Sequence, residues 1–297
     1  MLWKCQRSVA SFLFAFSLLH ELCLIMAQAE DYILGRSYSE GLRLETQHLL
    51  FGIHNGSTMN PKIPITPESK IADVGTGTGV WLLELATQVP PTVQLDGFDI
   101  SDELLPHESN VPSNVHFRIA DAFSNAPDDC LEKYDVVHLR LFCCIVRGGN
   151  PEKLFQHAYS LLKPGGYLQW DDGNLSPEKL HIKGAEAEAF ATFVRQGSGA
   201  LNLSYSWVGD LPRYAEKAGL DVLNFRSETW SKALIPMATR TYVLGHVGAI
   251  AALYNSDHSS LPPREQADAL LLELIGSIKK GGVYMYTPVH LLARKPT

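Results

Sequence analysis

The chain has 297 residues, 45% of them apolar and 9% aromatic, which excludes a disordered chain and supplies a sizeable core. With 25 Lys and Arg against 32 Asp and Glu the formal net charge is −7, and this argues against a nucleic-acid groove, which needs clustered cations to neutralise phosphates. The five cysteines, Cys5, Cys23, Cys130, Cys143 and Cys144, include no CxxC pair, so neither a zinc knuckle nor a disulfide framework is encoded.

Residues 1–30 form an apolar extension. Lys4 and Arg7 precede an apolar run from Val9 to Leu19, and Ala27-Gln28-Ala29 offers a small-residue cleavage site, as in a secretory leader. His20 and Glu21 interrupt the run before it can span a bilayer, and Met26 opens a second start. A leader, a membrane anchor and a translation start placed too far upstream are the three readings. Membrane association is expected only through residues 1–25, and a cytoplasmic location otherwise. Residues 31–297 read as one domain.

From Ser39 to His54 an amphipathic helix is expected behind a Ser N-cap, its apolar stripe carrying Leu42, Leu49, Leu50 and Ile53. Pro61, Pro64 and Pro67 separate this helix from the first strand. Short β-rich runs then alternate with helical patterns, the mark of βαβ units and a doubly wound, mostly parallel sheet. Strands are expected at Ile71 to Val74, Val93 to Asp99, Val115 to Ile119, Tyr134 to Leu139 and Tyr167 to Trp170, with helices at Val80 to Val89 and Pro151 to Leu162. Helices come next at Ala185 to Gln196 and Leu211 to Ala218, then a strand at Val222 to Arg226. Two more helices, Thr239 to Leu253 and Arg264 to Lys279, lead to a last strand at Val283 to Tyr286. The stretch of about 172–221 exceeds a normal connection and reads as a cap carrying specificity.

The strongest signal is Asp73-Val74-Gly75-Thr76-Gly77-Thr78-Gly79, between a strand and a helix. A dinucleotide fingerprint would need glycine where Val80 stands, and no Walker lysine is present. Glycines admit close backbone approach, and an acid ahead of them repels phosphate and welcomes a cation. Asp99 ends the second strand, where an acid accepts ribose hydroxyls. Asp121 follows the third, in Ala120-Asp121-Ala122-Phe123, placed to hold an adenine amine beside an apolar side chain. Cation, ribose and adenine in that order describe S-adenosylmethionine.

IADVGTGTGVWLLELA, VQLDGFDIS, FRIADAF, YDVVHLRLF and LLKPGGYLQWDD together resemble class I S-adenosylmethionine-dependent methyltransferases, and in particular fungal enzymes of secondary metabolism. YILGRSYSEGLRLETQH is similar to the opening of that family, so the likeness runs from about Asp31 to Pro296. The resemblance implies a seven-stranded sheet with its last strand antiparallel, an N-terminal helical lid and a helical insertion after strand five. It also implies Asp73, Gly75, Thr76, Gly77 and Gly79 at the methionine moiety, Asp99 and Ile100 at the ribose, and Asp121, Ala122 and Phe123 near the adenine. Arg43, with Gln47 and His48 on the first helix, is a candidate to fold over the cofactor, where Arg43 could pair with its carboxylate.

The acceptor belongs beyond the carboxyl ends of the strands. Candidates there are His138 and Arg140 after strand four, Trp170, Asp171 and Asp172 after strand five, and Tyr205, Trp207, Tyr242 and His246 in the cap. His138 is the leading candidate for a general base and Asp171 the next, although in-line positioning can supply much of the rate. No cluster has metal-ligand spacing. The expected activity is methyl transfer to an oxygen or nitrogen of a small, largely apolar secondary metabolite. A non-catalytic or protein-directed methyltransferase-like regulator is the alternative.

Overall fold

The computed structural model describes residues 36–254 and 262–297, so the readings made for residues 1–30 lie outside the described residues. Nine strands occur among them: β1 (Lys70–Val74), β2 (Gln94–Asp99), β3 (Val115–Ile119), β4 (Tyr134–Arg140), β5 (Leu162–Asn174), β6 (His181–Lys183), β7 (Asp221–Ser227), β8 (Val283–Met285) and β9 (Thr287–Arg294). Seven of these make one sheet in the order β3-β2-β1-β4-β5-β9-β7. β9 runs antiparallel to both neighbours, while β1 to β5 pair in parallel. The strand order reverses between β1 and β4, and the crevice outside the carboxyl ends at such a reversal is where open α/β sheets bind ligands.

The helices are α1 (Tyr38–Asn55), α2 (Val80–Ala86), α3 (Glu152–Leu161), α4 (Ala185–Ala200), α5 (Leu211–Lys217), α6 (Ile235–Leu253) and α7 (Arg264–Ile278). Strand side chains alternate between two faces, and the two faces carry different chemistry. On one, Ala72, Val74, Val137, Leu139, Leu168 and Trp170 pack with Leu154 and Phe155 of α3 and Leu211 and Ala215 of α5. On the other, Ile71, Leu95, Val136 and Leu292 pack with Trp81, Leu82 and Leu85 of α2. The second face is apolar only in its lower half. Toward the ligand crevice the same face carries Asp73, His138, Asp171 and His290, all buried.

Three expectations are corrected. The last strand of the sheet is β9, not Val283 to Tyr286, because Val283–Met285 pairs with β6 in a separate two-stranded ribbon. β9 is buried on both faces and so lacks alternation, and Pro288 demotes the run in any reading by propensity. β5 runs from Leu162 to Asn174, with the Lys163-Pro164-Gly165-Gly166 turn held as a bulge between the pairs Tyr134–Leu162 and Val136–Tyr167. Finally, α1 is capped by Ser37, and its expected stripe is split: Leu50 is buried in the core, whereas Leu42, Leu49 and Ile53 are 48%, 58% and 61% exposed and Glu40, Arg43, Gln47 and His48 are buried.

The glycine loop joins β1 to α2 through left-handed backbone at Gly75, Gly77 and Gly79. Gly79 caps α2 at φ +73°, and a Cβ there would lie 2.5 Å from the Phe117 ring. Gly79→Ala should therefore cost about 2 to 4 kcal/mol, from left-handed strain and overpacking together. Urea unfolding should show a lower midpoint at unchanged slope.

Candidate functional site

Gly75 and Thr76 donate their backbone N–H groups to Phe98 O at 2.8 and 3.0 Å, tying the loop to β2. Gly77 N–H donates to Asp99 Oδ2 at 2.8 Å, and Ser101 N–H reaches Oδ1 at 3.3 Å. A carboxylate has about four acceptor positions, so Asp99 keeps capacity for hydroxyls. Burial raises its pKa against the pull of those N–H groups. Only Leu44 Cδ1, at 3.4 Å, lies near the Cβ direction of Gly77, and the Thr78 hydroxyl is buried without a partner. Ile100 is exposed beside Asp99. Asp121 accepts Phe123 N–H at 2.9 Å and the Ser124 hydroxyl at 2.8 Å, so it caps the turn that carries Ala122 and the half-buried Phe123.

Asp73 points into the sheet's charged row. Its Oδ2 accepts the Thr76 hydroxyl and its Oδ1 accepts His138 Nδ1–H, both at 2.7 Å. His138 is stacked on the Trp81 ring at 4.0 Å and 2° and is 1% exposed. Its Nε2 lies 3.4 Å from Asp171 Oδ2. Asp171 Oδ1 in turn accepts from His290 Nδ1 at 2.7 Å and Asn55 Nδ2 at 3.1 Å, and Gln169 Nε2 donates to Oδ2 at 3.1 Å. Asn60 Nδ2 stands 3.1 Å from His290 Nε2, which fixes that ring as an Nδ1–H tautomer. Burial opposes charge on His138, yet Asp73 and Asp171 outweigh it and hold the imidazole above its ordinary pKa. Burial likewise opposes ionisation of Asp171, but His138 and His290 hold it well below the usual carboxylate range. With Nδ1 bonded to Asp73, Nε2 facing Asp171 without a hydrogen bond, and both carboxylates favouring its charged form, His138 is poorly suited to taking a proton from an acceptor, as is a carboxylate that resists protonation. The structure thus gives both candidate bases other work.

Arg140 sits beside this row. Its Nη1 donates to His48 Nδ1 at 3.1 Å, and His48 Nε2 donates to Glu84 Oε2 at 2.5 Å. Burial and then Arg140 push the His48 pKa down to about 4, so the ring is neutral near pH 7. Among the described residues no carboxylate comes within ion-pairing distance of Arg140. Arg43 differs: its Nε and Nη2 meet both Glu40 oxygens at 2.8 and 2.6 Å, and its Nη1 reaches Gln47. The cation that sequence assigned to the cofactor carboxylate is already neutralised, and Arg140 is the one without a carboxylate.

Trp170 and Asp172 lie on the opposite face. Trp170 is fully buried between Phe142, Phe155 and Trp207, so both tryptophans belong to the core and not to an acceptor wall. Asp172 accepts Phe142 N–H, Cys143 N–H, Gly173 N–H and Trp170 Nε1–H, which corrects its assignment to substrate. Burial raises its pKa to about 6. In the cap, Tyr242 stacks on Tyr284 at 5.0 Å and meets Tyr286 edge-on, His246 packs against Tyr242 and Phe190, and Tyr205 reaches the Ser198 hydroxyl. Burial and then Arg43 lower the His246 pKa to about 4. Sequence reasoning missed Glu40, Glu84, Gln169, Tyr284, Tyr286 and His290. Of these only Glu40 carried a local signal, its helical spacing from Arg43.

The methyltransferase domain family matches residues 58–224, and these include the glycine loop, Asp99, Asp121 and the charged row as far as Asp171. The chain belongs to that family. Methyltransferase grgD of Penicillium sp is 34% identical over 57% of this chain and 67% of its own length. The N-methyltransferase tcpN of Claviceps purpurea is 33% identical over 52% and 54%, and the secondary metabolism regulator LAE1 of Cochliobolus heterostrophus is 28% identical over 46% and 43%. The chain thus spans between under half and two thirds of the length of these relatives. A chain of the complex between the Haloferax volcanii Trm112 methyltransferase activator and a methyltransferase shares the fold, with TM-score 0.53, 16% identity and coverage of 88% and 95%.

The family's cofactor is S-adenosylmethionine, and the residues fit it. Only the Leu44 methyl group, at 3.4 Å, stands over Gly77, Asp99 retains acceptor capacity beside it, and Arg140 offers a cation for a carboxylate. When bound, this cofactor supplies a methyl carbon activated by a sulfonium. No described helix is long and apolar enough to cross a membrane.

Asp172→Ala would strand four buried donors. It should cost about 3 to 5 kcal/mol, most of it the desolvation of those groups. A melting curve that moved by no more than a degree or two would show that the loop of Phe142 and Cys143 does not depend on this carboxylate.

Proposed function

We propose that this chain transfers a methyl group from S-adenosylmethionine to a nitrogen of a small, largely apolar secondary metabolite. The observation that carries the choice of nitrogen is the state of the site's histidines. His138 lies between two carboxylates that favour its charged form, and burial keeps His246 neutral behind the cap aromatics. His48 is also neutral, but one nitrogen accepts from Arg140 and the other donates to Glu84. A neutral amine brings its own lone pair and needs no base before attack, whereas a hydroxyl is activated by one. Holding such an amine in line with the methyl carbon is then the main task. The apolar character of the acceptor is inferred from the cap, where Tyr242, Tyr284, Tyr286 and His246 form one buried aromatic cluster. Resemblance to the Claviceps N-methyltransferase supports the same choice.

Arg140 is assigned to the cofactor carboxylate, Asp73 to its ammonium and Asp99 to its ribose. Asp99→Ala should weaken binding of S-adenosylhomocysteine by about 1 to 3 kcal/mol, read by calorimetry on folded protein. For the reaction, the chain is incubated with methyl-labelled cofactor and an extract of fungal metabolites. The expected product carries the label on nitrogen, assigned from the carbon chemical shift of the new methyl group. A label found on oxygen would overturn the nitrogen assignment, and a chain that binds cofactor but labels only protein would favour the regulator reading.

A further inference from the structure

The charged row crosses four neighbouring strands, and its members are set by register. Asp73 of β1 pairs with His138 of β4, Arg140 of β4 with Asp171 of β5, and Asp171 with His290 of β9. Asp171 is thus two strands from the glycine loop, and the contacts of its carboxylate run to His138, Gln169, His290 and Asn55. We propose that His138 is a positioning residue, and that Asp171, with no contact of its own to the glycine loop, acts through it to set the carboxylate of Asp73 for the cofactor. This rests on the cofactor assignment above and extends it to residues outside the cofactor loop.

The geometry leaves His138 little freedom. Trp81 covers its ring face in parallel contact, and the Trp81 Nε1–H is fixed on Thr58 O at 3.1 Å. The stacking contact holds the plane of the ring. Nδ1 is bonded to Asp73, whereas Nε2 faces Asp171 Oδ2 at 3.4 Å with no hydrogen bond of its own, so Asp171 acts on the ring through its charge. A change of charge at Asp171 therefore changes the hold of Nδ1 on Asp73 Oδ1. The other oxygen of Asp73 is held by Thr76 of the glycine loop, so loop and carboxylate are positioned together. The charged and titratable groups around His138 are Asp73 from β1, Arg140 from its own strand, Asp171 from β5 and His48 from α1. Behind them stand Glu84 of α2, reached through His48, and His290 of β9, reached through Asp171. The positive members lie beside the negative ones, and removing a single member exposes its neighbours to uncompensated burial.

Two measurements test this without an acceptor. Histidine side-chain NMR of the cofactor-free chain follows the His138 titration. The His138 pKa lies above its ordinary value, so the charged ring persists beyond the pH at which a free imidazole loses its proton and is lost as pH rises through the raised value. Asp171→Asn should move this midpoint down by about one pH unit or more, because one of the two stabilising carboxylates is gone. Calorimetry with S-adenosylhomocysteine then reads the coupling. Asp171→Asn should weaken binding roughly three- to ten-fold in the natural background and leave it unchanged in a His138→Gln background, the non-additivity expected of residues acting in series. His138→Gln keeps a donor for Asp73 and should bind better than His138→Leu. If His138→Leu does not fold, the Asn and Gln variants carry the comparison.

Additive losses, or unchanged affinity in Asp171→Asn, would overturn the positioning role, as would a His138 midpoint that Asp171→Asn leaves in place. Failure of the natural chain to bind S-adenosylhomocysteine at all would instead overturn the cofactor assignment, which separates the two failures.

Discussion

Ionisable side chains are costly to bury without partners. Moving one charge into the interior costs several kcal/mol after relaxation, so a buried acid must find a counter-charge or a set of hydrogen-bond donors within the fold. In this chain the requirement is met sideways across the sheet. Asp73, His138, Asp171 and His290 alternate acid and base over four strands at the edge of the ligand crevice. Below them the same sheet face is apolar and packs on α2. The row explains why α1 is turned as it is. His48 and Gln47 must face inward to meet Arg140 and Tyr286, and that leaves Leu42, Leu49 and Ile53 on the outside.

The legible part of the site is the part whose signal is local. Asp73 and its glycines lie within seven consecutive residues, and Asp99 closes a strand at the distance that a βαβ unit fixes. The doubly wound, mostly parallel character of the sheet was legible too, because alternating strand and helix patterns admit few topologies. His290 was not legible. It stands 119 residues from Asp171, in a strand whose proline and two-sided burial hide its period, and only the antiparallel register brings the two together. Periodicity also gives the stripe of a helix without its direction. Of the expected apolar stripe of α1 only Leu50 is buried, and the polar face of Arg43, Gln47 and His48 is the one turned inward.

The acceptor side divides along the same line. Sequence position placed His138, Arg140, Trp170, Asp171 and Asp172 together after β4 and β5, yet neighbours on a strand point to opposite faces. His138, Arg140 and Asp171 share the face of Asp73 and Trp81, whereas Trp170 and Asp172 look into the core of α3 and α5. Core packing and charge compensation therefore absorb four of the five. Of the five, Arg140 is left with no carboxylate within ion-pairing distance among the described residues, in a crevice where the cofactor brings one.

The adjacent acids Asp171 and Asp172 show how far this separation goes. Asp171 is ionised by two imidazoles, and Asp172 is solvated by four N–H donors, three of them backbone, so that burial still lifts its pKa to about 6. Leu141, which precedes the N–H groups that Asp172 binds, is held in left-handed backbone at φ +60°, with its own N–H on Asp171 O at 2.9 Å. A leucine keeps that conformation only where its surroundings impose it. One acid fixes the loop after β4 from below while the other fixes the charged row above it, and the strained residue between them marks where β4 leaves the sheet for the crevice. Because the two acids are chemically alike, sequence could not divide these roles; the strand's alternation does so, by sending one to each face.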